Sequence, residues 1–207
     1  MESPRWEDRH SSVRTCAVRL VLLGAPGSGK GTQGERLAVR LGVPHVASGE
    51  LLREQVAART ELGLEVAERL ARGDLVPDDT MVAIVGEAVS VASESGGYVL
   101  DGFPRTRAQA EQAYELAHPR GIDAQAAVYL ALDDDVARKR LAGRAGDGRL
   151  DDANAEVIEH RLQLFHDNMR PILDYYRERG ILVTVDAAEP VAAVTEDILA
   201  ALAAFTS

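Results

Sequence analysis

Apolar residues fall along this chain in two rhythms. Five short runs are almost uninterrupted: VRLVLL (18–23), VPHVA (43–47), GGYVLDGFP (96–104), AQAAVYLAL (124–132) and ILVTVDA (181–187). Runs of this length, with both alternate positions apolar, predict strands buried on both faces. Between them, apolar residues recur every three or four positions, which predicts helices over 32–41, 50–59, 62–71, 80–93, 107–116, 133–141, 155–179 and 191–205. In the first of these, Leu37, Ala38 and Leu41 mark the stripe. Strands separated by helices need crossover connections. The expectation is therefore a doubly wound α/β domain, a five-stranded parallel sheet covered on both faces.

Two segments break the alternation. Residues 47–76 hold two helical patterns where one crossover would serve, and 143–152 (GRAGDGRLDD) are polar, glycine-rich and arginine-bearing. Both read as excursions from the sheet, the first a small helical lobe and the second a short flap. The first 17 residues, MESPRWEDRHSSVRTCA, mix acids, bases and polar groups without an apolar centre. They read as a loosely ordered extension rather than a secretory signal, leaving 18–207 as the domain. In doubly wound sheets the ligand sits beyond the carboxyl ends of the strands. The glycine run after the first strand and Asp101 at the end of the third both fall on that edge, so they are expected neighbours.

Composition narrows the class. With 207 residues, 46% of them hydrophobic, the chain can bury the core of one domain with small inserted lobes. No apolar run approaches the roughly 20 residues of a membrane span. Cys16 is the sole cysteine, so neither a disulfide framework nor a cysteine metal site can be built, and a reducing cytoplasm fits. The formal net charge is −10 and no linear basic cluster stands out, which argues against nucleic acid as partner. An anionic ligand must be attracted by a few placed cations.

The stretch GAPGSGKGTQ (24–33) supplies such a place. Gly24, Gly27, Gly29 and Gly31 let the backbone turn and approach an anion closely. Successive N–H groups can form a nest, and the following helix offers its positive end. Lys30 adds a mobile charge. The common phosphate-loop pattern wants a hydroxyl directly after the lysine. Here Gly31 occupies that place and the hydroxyl arrives one residue later, at Thr32. Further on, DGFPR offers Asp101, a carboxylate suited to holding Mg²⁺ through water, and Arg105, a planar fork for a second phosphate. Blander readings stand beside these: an Asx turn for Asp101, a surface ion pair for Arg105, a helix N-cap for Ser48, an exposed helical amide for Gln109, and a solvated basic helix end for the cluster Arg140, Arg144, Arg149 and Arg161, with Arg138 and Lys139 nearby.

With glycine between lysine and threonine, GAPGSGKGTQ resembles the phosphate loop of the nucleoside monophosphate kinases. The resemblance continues through SGELLRE (48–54), LVPDD (75–79), DGFPRTRAQ (101–109), RLAGR (140–144) and GRLDD (148–152). It covers nearly the whole chain from Val18 onward and is strongest to the adenylate kinases with a short lid. It implies a P-loop NTPase-like fold, with 47–76 as the monophosphate-binding lobe and 143–152 as the lid. It also implies reversible phosphoryl transfer from ATP to AMP, giving two ADP, with Mg²⁺ and in a monomer. On the ATP side it points to Gly27, Ser28, Gly29, Lys30, Gly31 and Thr32, with Arg140 on the adenine, Arg144 at the phosphates, and Glu189. On the AMP side it points to Ser48, Arg53, Val76, Gly102, Arg105, Gln109, Arg149 and Arg161. Lys30, Arg105, Arg144, Arg149 and Arg161 are the cations expected to stabilise the moving phosphoryl group. Asp151 and Asp152 are expected to hold the arginines in register. Asp101 is the expected Mg²⁺ residue, and Thr32 a second candidate.

Three details bear on this resemblance. Pyrimidine-directed relatives have Ala where Ser48 stands and Asn where Gln109 stands, and an amide can pair with the edge of adenine. The interval from Arg149 to Arg161 is one residue longer than in the family. The extra residue puts His160 in the nominal place of Arg161 unless the first turn of the helix absorbs it. Longer-lid relatives carry four zinc-ligand positions, whereas this flap is about ten residues without cysteine, so no structural zinc is expected; His10, His45, His118, His160 and His166 show no metal-ligand spacing. A UMP/CMP-type kinase and a nucleotide-binding regulator without turnover are the alternatives. A GTPase switch would need D-x-x-G and N-K-x-D signatures, and neither occurs.

Overall fold

The structure, a computed structural model, describes residues 18–143 and 154–203. Five strands build one sheet: β1 (Val18–Gly24), β2 (His45–Ala47), β3 (Gly97–Asp101), β4 (Ala126–Ala131) and β5 (Leu182–Asp186). Their order is β2-β3-β1-β4-β5, and every neighbouring pair is parallel. The helices are α1 (Lys30–Leu41), α2 (Ser48–Ala57), α3 (Glu61–Arg72), α4 (Asp78–Glu94), α5 (Arg107–Ala117), α6 (Asp134–Ala142), α7 (Ala155–Glu178) and α8 (Val191–Ala203). The expected doubly wound, five-stranded parallel sheet is the observed one. The expected N-terminal extension and nearly all of the flap GRAGDGRLDD lie outside the described residues.

The strands are apolar on both alternate positions because each position feeds a different core. In β1, Val21 and Leu23 enter one core with Met81 and Val85 of α4, Ala110 of α5 and Ile172 of α7. Leu20 and Leu22 enter the other, with Leu37 of α1 and Val194 and Ile198 of α8. β3 divides likewise, Tyr98 and Leu100 to the first core and Val99 to the second. Each such burial contributes about 1.5–3 kcal/mol. Among the described residues, no helix is long and apolar enough to cross a membrane.

Element boundaries moved for local reasons. β2 begins at His45 rather than at 43, since Pro44 has no N–H to give the ladder. α1 begins at Lys30, two residues before the apolar stripe announces it. α2 begins at Ser48, so Ser48 is its first helical residue; the N-cap is Ala47, and the N-cap reading of Ser48 fails. The two helical patterns of 47–76 fold as α2 and α3, packed on each other. Thr60 caps α3, its hydroxyl accepting from Gly63 N at 2.9 Å.

Candidate functional site

The loop joining β1 to α1 runs over the carboxyl edge of the sheet. Gly27 shows why its glycines are needed. Its φ is 81°, and a Cβ there would lie 2.8 Å from the Ala137 carbonyl oxygen of α6. α1 follows with Gly29 as N-cap, no side-chain cap and no acidic residue in its first turn. The first-turn amides and the positive end of the helix are thus left for an anion. Lys30 Nζ donates to the carbonyls of Gly24 (2.9 Å) and Ala25 (3.0 Å), which folds the lysine over the loop.

Beside this loop opens a cleft of about 350 Å³. Gly27, Gly29, Lys30, Gly31 and Thr32 form one wall; Arg53 from α2, Asp101 and Gly102 after β3, Arg105, and Arg161 from α7 form the rest. Residues as far apart in sequence as Gly27 and Arg161 therefore meet at one place. A second cavity of about 360 Å³ lies on the other side of the loop, between Gly27, Ser28, Gly29, Thr32, Arg140 and Glu189. Arg140 donates to the Ala188 carbonyl at 3.4 Å. Gln33, 3% exposed, donates to the Val191 carbonyl (2.9 Å) and accepts from Thr195 Oγ1 (2.7 Å), which ties α1 to α8 beneath this cavity.

Buried polar atoms without a partner are rare in folded proteins and each requires a reason. Of five such side-chain atoms among the described residues, four surround these cavities: Ser28 Oγ, His45 Nε2, Ser48 Oγ and Asp101 Oδ1. His45 lines the cleft and Ser48 Oγ lies 2.5 Å from where a Cβ on Gly102 would stand. The unsatisfied groups mark the cleft as a place built for polar company. Asp101 Oδ2 faces Gly31, 3.7 Å from a Cβ placed there. Asp101 and Thr32 thus supply oxygen donors to the same cleft, a set that suits Mg²⁺, which keeps most of its waters.

The one-residue lengthening before Arg161 does not remove it from the cleft. Arg161 lies across Gly73, its Cγ 2.8 Å from where a Cβ would stand, and lines the cleft. His160 turns instead to Asp74, Nε2 to Oδ1 2.9 Å. Asp74 Oδ2 accepts from Arg72 Nε at 2.9 Å. The Arg72 hydrogen bond, and after it the His160 one, hold the Asp74 carboxyl below its ordinary range.

Three expected residues sit behind the cleft rather than on its wall. Val76 is in the apolar core. Ser48 is fully buried behind Gly102. Gln109 is 1% exposed, with its Oε1 accepting from Arg105 N (2.7 Å) and its Nε2 donating to Asp78 Oδ1 (2.7 Å). Arg144, Arg149, Asp151 and Asp152 lie outside the described residues.

Glu35, His45 and Asp74 also line the cleft, though the motif reading gave none of them a role, and Glu50 of SGELLRE lines it too. The register of β2 on β3, Ala47 opposite Asp101, carries His45 to the same edge. Strand order, had it been deduced, would have found it. Gly34 supplies a further signal. A glycine inside a helix costs about 1 kcal/mol against alanine. Here a Cβ would stand 2.3 Å from His45 Nε2, so the glycine makes room for the imidazole.

A family model described as Adenylate kinase matches residues 22–181. The chain belongs to the adenylate kinase family. Among its relatives, an adenylate kinase of Xanthomonas euvesicatoria pv. vesicatoria is 43% identical over 186 residues, covering 89% of this chain and 99% of the relative. One of Kocuria rhizophila is 40% identical (89% and 98%), and one of Thermobifida fusca 38% (89% and 98%). The family thus spans the phosphate loop, the β3 carboxyl end and Arg161 together, and the adenylate kinase frame applies to the cleft as a whole.

Proposed function

We propose that this cleft transfers the terminal phosphoryl group of ATP reversibly to AMP, giving two ADP. One observation carries the reading: the loop residues with Lys30, and Arg53, Arg105 and Arg161, line a single cleft. The bond from Pγ to the bridging oxygen breaks, and one from Pγ to an α-phosphate oxygen of AMP forms. That oxygen is already an anion, so no strong base is needed. The protein's task is to hold two nucleotides in line and to offset charge spread over the moving group.

In this reading ATP lies along the loop, with its adenine against Arg140 and Glu189 in the second cavity. Gly27, Ser28, Gly29, Gly31 and Thr32 cradle its phosphates with Lys30. AMP lies on the side of residues 47–76, its phosphate met by Arg53 and Arg105 and its base near Ser48, Val76, Gly102 and Gln109. Arg161 serves both phosphate chains. Arg144 and Arg149 join this set through the family's motif. Asp101, with Thr32, would hold Mg²⁺ through water, and the ion would supply charge neutralisation between the phosphates. A monomer in the cytoplasm, acting on free nucleotides, completes the proposal.

The test is ADP or corresponding diphosphate formation from ATP with AMP, UMP, CMP and GMP side by side. AMP should be the preferred acceptor by at least about tenfold in kcat/KM, the scale of one lost polar contact. Equal use of UMP or CMP would overturn the choice of acceptor, and turnover with none would overturn the reaction.

A further inference from the structure

Arg105 is held by more than its own loop. Its Nε donates to the Gly102 carbonyl at 2.9 Å, and its backbone N–H donates to Gln109 Oε1 at 2.7 Å. Gln109 in turn donates from Nε2 to Asp78 Oδ1 at 2.7 Å. The second oxygen of Asp78 accepts from Thr106 Oγ1 at 2.9 Å. That hydroxyl accepts from Gln109 N at 3.1 Å, which caps α5. Asp78 stands in the first turn of α4, 28 and 31 residues from the two side chains it holds. It is thus the one residue of this network brought in from another element.

The network admits one arrangement of the amide. A carboxylate can only accept, so the end of Gln109 facing Asp78 is the NH₂. A backbone N–H can only donate, so the end facing Arg105 is the oxygen. Turning the amide over would place donor against donor and acceptor against acceptor. With Asp78 removed, the amide could turn, and two donors, Gln109 Nε2 and Thr106 Oγ1, would lose their charged acceptor. The peptide from which the Arg105 guanidinium projects would lose its external reference.

We propose that Asp78 is a positioning residue for Arg105, acting through Gln109 and Thr106 to set where the guanidinium meets the phosphates. This rests on the phosphoryl-transfer reading of the cleft. A displacement near 1 Å at such a group can cost about a hundredfold in rate, so a carboxylate that does not itself line the cleft can govern turnover.

The experiment is a double-mutant cycle: Asp78→Leu and Asp78→Asn, each alone and combined with Arg105→Ala, assayed for kcat and for both KM values. Asp78→Leu alone should lower kcat about tenfold or more. Asp78→Asn, which keeps an acceptor for one of the two donors, should lower it less. The KM for ATP should stay within about twofold, because the loop wall is untouched. On the Arg105→Ala background the same substitutions should lower kcat by less than about twofold, since the group they position is gone. Loss by the same factor in both backgrounds, or an unchanged kcat for Asp78→Leu, overturns the proposal. Thermal melting reports folding, and Asp78→Asn carries the cycle should the leucine variant fail to fold. A wild-type protein that makes no ADP from ATP and AMP overturns the underlying reading; wild-type turnover with additive losses overturns only the role of Asp78.

Discussion

The two walls of the cleft are built by different means. The loop wall is one contiguous stretch, and its anion-binding power resides in backbone amides whose aim is set by glycine conformation and by the start of α1. The other wall is assembled from Arg53 of α2, Arg105 of the loop between β3 and α5, and Arg161 of α7, and each guanidinium must be held by its neighbours. The first wall takes its shape from the local backbone, the left-handed glycines and the start of α1. The second depends on packing and hydrogen bonds between distant segments. A loss on the loop wall should therefore appear as strain and weaker ATP binding, and a loss on the arginine wall as slower transfer.

The largest effect should come from Arg105→Ala. Cationic clamps on transferring phosphoryl groups are worth about a thousandfold or more, or about 4 kcal/mol. We expect kcat to fall by that factor while the melting temperature stays within a few degrees; activity within threefold of wild type would remove Arg105 from the transfer machinery. Gly27→Ala should act next, and through the other wall. A side chain forced to φ 81° against the Ala137 carbonyl costs about 1–3 kcal/mol of strain. The expected result is an ATP KM raised about tenfold with the AMP KM nearly unchanged. Equal changes in both would erase the distinction between the walls.

The smallest effect concerns the contact beside Arg161. Asp74 is held below the ordinary carboxylate range by Arg72 first and His160 second. Its pairing therefore stabilises the folded state above the usual carboxylate pKa, near 4, and is lost as pH falls through the lowered folded value. Exposed pairs of this kind contribute little. Asp74→Asn should melt about 2 °C or less below wild type at neutral pH. That gap should narrow as pH drops below about 4. A gap that is constant with pH would mean that the carboxylate charge plays no part.

The same contrast explains what could be read from sequence. The fold was legible because strand and helix periods are local, and because two-sided strands are nearly continuous in apolar residues. The loop wall was legible for the same reason: its chemistry and its geometry sit in ten adjacent residues. Of the arginine wall, Arg105 was legible from its own chemistry beside Asp101, whereas Arg53 and Arg161 were legible only as a family likeness. Whether Arg161 or His160 faces the cleft is decided by Asp74 and Gly73, some 90 residues upstream, and no local pattern carries that. That Ser48 and Gln109 are buried behind the cleft wall could not be read locally, because exposure is set by what the fold lays over a residue. The place of His45 at the cleft could not be read locally, because it depends on strand order, which periodicity does not encode.

β1 lies in the middle of the sheet, flanked by β3 and β4, with its side chains shared between both cores. A segment so placed belongs with the core strands, whose amides typically open only with the domain as a whole. The phosphate loop is the direct continuation of that strand. The anion seat is therefore bolted to the most persistent part of the molecule, while the lobes around it are free to belong to its softer periphery.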